Sequence, residues 1–138
     1  MSHFVTVDVE ITSIEALKRA VEKLGYRLQS NAYCRGWSGQ TQKCDYVVPL
    51  PGPYDLGFIL QDKTYVPVGD FYNGHIARYL GNGQRGTRNE IGKLLQQYAV
   101  EEVLIEAQQN GMSWTTKQDE AGNIVIELTE SGWTKGGW

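Results

Sequence analysis

Residues 33–60 read Tyr-Cys-Arg-Gly-Trp-Ser-Gly-Gln-Thr-Gln-Lys-Cys-Asp-Tyr-Val-Val-Pro-Leu-Pro-Gly-Pro-Tyr-Asp-Leu-Gly-Phe-Ile-Leu. A strand is expected to leave this stretch on each side. Residues 44–50 set Cys44, Tyr46, Val48 and Leu50 against Asp45 and Val47, the two-residue period of a strand. Pro49, Pro51, Gly52 and Pro53 end it, because proline has no N–H to give to a central ladder. Residues 56–60 and 65–68 then read as a hairpin turning at Gln61-Asp62-Lys63. Residues 31–42 are the irregular or hairpin portion, with glycines for turns and aromatics for a core. The middle of the chain is therefore a meander, and Pro67 points to an edge strand.

Outward from the centre, residues 4–11 alternate Val5, Val7, Val9 and Ile11 with Thr6, Asp8 and Glu10, a strand with one wet face. Thr12 and Glu15 fit a capping box with Thr12 as N-cap. Ile14, Leu17, Val21 and Leu24 follow at helical spacing, and Gly25 supplies the stop. Extended structure restarts at Tyr26, Arg27 and Leu28. Residues 71–80 read as a short helix carrying Ile76, Tyr79 and Leu80. Thr87 and Glu90 form a second capping box opening the longest helix, roughly residues 88–109, closed by Asn110-Gly111. In that helix Ile91, Leu94, Leu95 and Tyr98 share a face, while Val100, Val103, Leu104 and Ala107 lie largely opposite. A helix apolar on both sides is covered on both, by its sheet and by another segment or subunit. The second face motivates the expectation of a homodimer with Val100, Val103 and Leu104 at its interface. Residues 112–117 and 124–128 make a closing hairpin around Asp119-Glu120-Ala121-Gly122-Asn123. The expected architecture is α+β, an antiparallel sheet of about five or six strands with two helices packed on one face. Residues 1–130 form one domain, and residues 131–138, with Trp133 and Trp138 among glycines, form a flexible tail.

With 138 residues the chain is long enough to bury a core without staples. Its 41% hydrophobic and 21% charged residues are ordinary for a soluble globular protein. A net charge of −3 argues against generic nucleic-acid binding, which normally shows a basic excess. No apolar run approaches a membrane span, and Met1-Ser2-His3-Phe4 lacks signal-peptide regions, so a cytoplasmic location is expected. Cys34 and Cys44 could face each other across a hairpin, but in the cytosol they are expected to stay reduced. No ligand spacing for zinc is present, and no metal or cofactor is expected.

Asn and Gln donate and accept hydrogen bonds while aromatic faces stack, so Trp37, Gln40 and Gln42 read as a recognition platform. Gly81-Asn82-Gly83-Gln84-Arg85-Gly86 fits G-x-G-x-x-G and precedes a helix, where exposed N–H groups favour an anion. It lacks the strand before it that a dinucleotide fold requires. Arg78, Arg85, Arg88 and Lys93 add positive charge there. Asp55 and Asp70 flank the central hairpin and can pair with Arg35 or Arg78. Ser38, His75 and Asp70 contain the residue types of a hydrolytic triad, without a nucleophile elbow, and no catalytic residue is assigned.

Several stretches together resemble the hypothetical-chloroplast-reading-frame family of plastid and cyanobacterial genomes, also found in other bacteria and phages, an uncharacterised family. They are Met1-Ser2-His3-Phe4, Ile14-Glu15-Ala16-Leu17-Lys18 through Leu24-Gly25-Tyr26, and Gly39-Gln40-Thr41-Gln42 leading to Asp45-Tyr46-Val47-Val48. Tyr54-Asp55-Leu56-Gly57-Phe58, Leu95-Gln96-Gln97-Tyr98-Ala99 and the closing hairpin complete the set. The resemblance implies a compact fold and, through association with AAA-type ATPases, an accessory or adaptor role. The functional expectation is a non-catalytic binding or adaptor protein acting through a protein partner. The alternative is a small-ligand binder holding a nucleotide-like or phosphate-bearing molecule through Trp37, Gln40, Gln42, Arg78, Arg85 and Arg88.

Overall fold

The computed structural model describes residues 3–130, the Glu130 side chain excepted. The chain falls into two compact units, Met1–Tyr98 and Ala99–Trp138. The expected flexible tail, with Trp133 and Trp138, lies outside the described residues.

The first unit contains β1 (Val5–Thr6), α1 (Ile14–Lys23), β2 (Gln29–Arg35), β3 (Thr41–Val48), β4 (Leu56–Gln61), β5 (Thr64–Gly69) and the four-residue helix α2 (Ala77–Leu80). A 3-10 turn, Thr87–Ile91, then leads into α3 (Gly92–Gln109). The sheet runs β1-β5-β4-β3-β2 with every pairing antiparallel, so the class is α+β as the alternation implies. The closing hairpin, β6 (Met112–Gln118) and β7 (Ile124–Glu130), pairs only with itself among the described residues. The main sheet therefore has five strands.

The first strand is much shorter than its alternation predicts. Val5 and Thr6 pair with Gly69 and Val68, and Val7 N–H donates to Pro67 O at 2.9 Å. Val9 N–H then turns back to Val7 O, and the chain rejoins β5 only where Ile11 and Tyr65 exchange both hydrogen bonds at 2.8 Å. Val7 and Ile11 are buried as the pattern requires, but the ladder breaks at Asp8. The same interruption explains Pro67, which sits on a strand paired on both sides rather than on the edge. In an extended strand the N–H and C=O of one residue point the same way, so the missing donor of Pro67 faces the broken β1 ladder.

The α1 cap is displaced by one residue. Ser13, not Thr12, is the N-cap, its hydroxyl accepting Ala16 N–H at 3.1 Å. Thr12 and Ser13 N–H both donate to the Tyr98 hydroxyl, at 3.0 and 3.1 Å. Glu15 pairs instead with Arg19 one turn on, at 2.7 Å. The helix buries Ala16, Leu17, Ala20 and Val21.

Cys34, Cys44, Val47 and Val68 form a buried cluster with Phe4, Ala32 and Ile59 packed against it. Gly57 on β4 makes this packing fit. A Cβ there would stand 2.5 Å from Cys44 Sγ and 3.3 Å from Cys34 Cβ, so any side chain would displace the sulfur.

In the second unit the hairpin turn is held by the Asp119 carboxylate, which accepts N–H groups from Ala121 and Asn123. Trp114 and Leu128 stand opposite each other and are both exposed. Val100, Leu104 and Ala107 of α3 are buried within the single chain, whereas Val103 is 40% exposed. Of the expected interface residues Val100, Val103 and Leu104, Val103 is the exposed one.

Candidate functional site

Two hydrogen-bonded knots, both in the first unit, shape one end of the sheet. The first joins the end of β2 to the proline-rich loop before β4. Arg35 grips Asp55 in two parallel bonds, Nε to Oδ2 at 2.8 Å and Nη2 to Oδ1 at 2.7 Å. The Arg35 N–H donates to Asp55 Oδ2 and Asp55 N–H returns to Arg35 O, at 3.0 and 3.1 Å. Leu50 N–H donates to Asp55 Oδ1, while Nη2 also reaches Leu50 O and Gly52 O. Pro49, Pro51 and Pro53 interrupt any ladder here, and Arg35 takes up the carbonyls that a ladder would have used. Asp55 is buried while the Arg35 side chain stays half exposed. The carboxylate beside it raises the guanidinium pKa further.

The second knot is a single buried carboxylate beneath two exposed aromatic residues. Asp70, at the end of β5, accepts Trp37 N–H on Oδ2 and Tyr72 N–H on Oδ1, each at 3.1 Å. Both donors open short 3-10 turns of the same construction, Trp37–Gly39 and Tyr72–Gly74. In each, the aromatic is followed by two left-handed residues, Ser38 (φ 55°) and Gly39 (φ 74°), or Asn73 (φ 56°) and Gly74 (φ 67°). Left-handed backbone is unfavourable for non-glycine residues and persists where surrounding contacts enforce it. Gly36, just before Trp37, has the Phe4 ring against it, and a Cβ would fall 2.6 Å from Phe4 Cζ. Tyr54, next to Asp55, meets the His75 ring edge-on at 4.7 Å, tying the second turn to the first knot.

Trp37 is 39% exposed and Tyr72 51%. Tyr33 is more exposed still, but Lys43 Nζ covers its face at 5.0 Å from the ring centre. Trp37 and Tyr72 make no ring contact among the described residues. The chain thus holds two partly exposed aromatic residues whose backbone N–H groups share one buried carboxylate.

Other sequence-derived sites fare differently. Gln40 closes the Trp37 turn through its backbone, donating N–H to Trp37 O and accepting Gly36 N–H, and Gln42 lies on β3 opposite Cys34. No hydrogen bond, ion pair or ring contact joins Trp37, Gln40 or Gln42 to Arg78, Arg85 or Arg88 among the described residues. The three arginines are exposed on α2 and the segment after it. That segment braces itself, with Asn82 N–H on Asn89 O, Asn82 Nδ2 on Asn89 Oδ1 and Gln84 N–H on Asn82 Oδ1. The α-helix begins only at Gly92, so Arg85 and Arg88 do not stand at its first turn. The second capping box does not form either, since Gly86 (φ 107°) occupies the N-cap without a side-chain bond. The triad residue types do not assemble, because both Asp70 oxygens serve backbone N–H groups and His75 meets Tyr54 edge-on. Among the described residues no group of three or more His, Cys, Asp or Glu side chains could hold a metal ion. No helix among them is long and apolar enough to cross a membrane.

A family model described as "Protein of unknown function (DUF1257)" matches residues 20–126. The chain belongs to this DUF1257 family. "Uncharacterized protein ycf35" of Cyanophora paradoxa is 26% identical over 128 residues, spanning 91% of this chain and 94% of its own. No solved structure matches. The DUF1257 span contains both knots, both aromatic turns and the cysteine cluster, while α1 begins before it and Phe4 lies outside it.

Glu90, within the 3-10 turn before α3, carries a testable electrostatic cost. Its Oε2 is buried with no hydrogen-bond partner among the described residues, and burial pushes the carboxyl pKa up. Burial penalises the charged form, so the stability contribution is present at low pH and is lost as pH rises through the raised pKa. Glu90→Gln is expected to stabilise the protein at neutral pH by up to about 1 kcal/mol, the half-exposed position limiting the gain. Thermal melts across pH should show that gain shrinking as the solution is acidified to about pH 4, near the ordinary glutamate pKa.

Proposed function

We propose that this protein is a non-catalytic binding or adaptor protein that engages a protein partner through the paired turns of Trp37 and Tyr72. What supports the reading is one observation, the buried Asp70 carboxylate pinning two exposed aromatic residues by their backbone N–H groups. Tryptophan and tyrosine dominate binding energy at interfaces because each buries a large rigid surface with few rotors to freeze. Fixing their backbone beforehand removes part of the ordering cost of association. The left-handed residue after each aromatic is strain retained at a surface position, where stability alone gives no reason for it.

The alternative, a nucleotide-like or phosphate-bearing ligand on Arg78, Arg85 and Arg88, would need those arginines to act without the Trp37 platform and without a helix N-terminus. The partner reading is therefore preferred. The test is quantitative enrichment from the protein's own cells, comparing wild type with a Trp37→Ala, Tyr72→Ala double variant and a Leu60→Ala control. Hot-spot truncations of this kind cost about 2 kcal/mol or more each, enough for at least tenfold less of a specific partner with the melting temperature retained. An AAA-type ATPase, the partner class that the family resemblance implies, is the first polypeptide to look for. Equal recovery by wild type and double variant would reject the site.

A further inference from the structure

The recognition surface makes no use of the two cysteines, yet they are placed together. They are the only cysteines in the chain, both are free thiols, and both are buried. Cys34 lies on β2 and Cys44 on β3, two residues out of direct register, since Cys34 pairs with Gln42 and Ala32 with Cys44. Both pack on the space left by Gly57, within 3.3 Å of a single point at both Cβ atoms. The neighbouring Cys44 and burial push the Cys34 pKa up, while the neighbouring Cys34 draws the Cys44 pKa down, and Cys44 Sγ donates to Gln42 O at 3.5 Å. Cys34 Sγ also donates to Asp55 O at 3.2 Å, the residue at the heart of the first knot.

We propose that Cys34 and Cys44 are an oxidation site at which a hydroperoxide converts the two thiols into an intrachain disulfide that closes the hairpin carrying Trp37. The Cys44 thiolate attacks one peroxide oxygen, the O–O bond breaks, and the alcohol or water leaves with a proton, giving a sulfenic acid. Cys34 sulfur then attacks Cys44 sulfur, the S–O bond breaks, and the Cys34 proton departs with hydroxide as water. Two thiols lose two electrons in all, and one hydroperoxide is reduced to an alcohol and water. Access comes from the sheet edge. β2 is the outer strand, its ladder skips Asn31 (φ 52°), and edge strands open locally at less cost than the whole fold. The sulfurs must close to about 2.05 Å, which ends the Cys34 bond to Asp55 O. The loop so closed is residues 35–43, holding Arg35 and Trp37. Control of recognition by this bond rests on the function proposed above, whereas the oxidation chemistry does not.

The full chain is treated with hydrogen peroxide and measured by intact mass and by peptide mapping without reductant. The expected result is a loss of about 2 Da and one cross-linked peptide joining Cys34 to Cys44, reversed by dithiothreitol. Amide exchange of residues 35–43 should slow in the oxidised form, a readout independent of any partner. Cys34→Ser should leave a sulfenic acid at Cys44 that dimedone traps, while Cys44→Ser should leave Cys34 unreactive, with alanine variants used if serine impairs folding. The proposal is overturned if the wild type keeps both thiols, gains oxygen without the mass loss, or links between chains. Unchanged exchange in a chain that has formed the disulfide overturns the closure of the hairpin. Loss of partner recovery in the Trp37 and Tyr72 variants with no disulfide would leave the binding role standing and remove only the oxidation site.

Discussion

Asp55→Ala is expected to lower unfolding stability by about 3 kcal/mol, the low end for breaking a buried ion pair because the Arg35 side chain is half exposed. The loss combines three parts. The guanidinium loses its bidentate partner, and the N–H groups of Arg35 and Leu50 lose their acceptors. Leu50 and Asp55 are buried, so water cannot readily replace the carboxylate. Arg35→Ala should be milder, about 1–2 kcal/mol, because Asp55 keeps its two backbone donors. Asp55→Asn should fall between, since Oδ1 can still accept while the amide nitrogen cannot. Urea titrations of the three variants give the order. If Arg35→Ala proved as harmful as Asp55→Ala, the ion pair rather than the backbone contacts would be what holds the loop.

Asp70→Ala has the second largest effect, and it separates stability from recognition. Two buried-side acceptors vanish together, leaving Trp37 N–H and Tyr72 N–H to solvent. Because both turns lie at the surface, a loss of about 2 kcal/mol is expected, less than two fully buried orphans would give. The left-handed residues Ser38 and Asn73 then lack the contact that enforced them, and both turns should relax. Hydrogen exchange at Trp37 and Tyr72 should accelerate together while the cysteine cluster stays protected. Partner recovery should fall as far as in the Trp37→Ala, Tyr72→Ala variant, although both aromatic side chains are still present. Acceleration at only one of the two amides would mean that the turns are independent.

What could be read from residue order alone was whatever depends on near neighbours. The alternation in residues 44–50 and 56–60, the Asp119-to-Asn123 turn and the spacing of Leu17 and Val21 all report local geometry, and each element is present. Long-range acceptors defeated the rest. Thr12 reads as an N-cap, but the Tyr98 hydroxyl, 86 residues away, takes its N–H and the cap moves to Ser13. Residues 4–11 alternate perfectly, yet alternation describes which side is buried and does not reveal that the backbone leaves the ladder at Asp8. Trp37 stands out in the sequence by its amide-rich neighbourhood and is exposed, and pairing of Asp55 with Arg35 was among the options the charges allowed. Tyr72 was missed because its link to Trp37 passes through Asp70, 33 residues from the tryptophan. A signal was nevertheless present. Trp37-Ser38-Gly39 and Tyr72-Asn73-Gly74 share an aromatic, a short polar residue and a glycine, the last two suited to left-handed backbone. Arg85 and Arg88 lie in and beside a glycine pattern whose residues frame an asparagine-braced loop.

The most direct measurement is photo-crosslinking in the living source cell, with benzoylphenylalanine placed singly at Trp37, Tyr72 or Tyr33. The account predicts that positions 37 and 72 cross-link to the same polypeptide, that position 33, where Lys43 covers the native ring, does not, and that Asp70→Ala abolishes both cross-links. Cross-links to different polypeptides from 37 and 72, or equal capture from position 33, would contradict a single recognition surface built on Asp70.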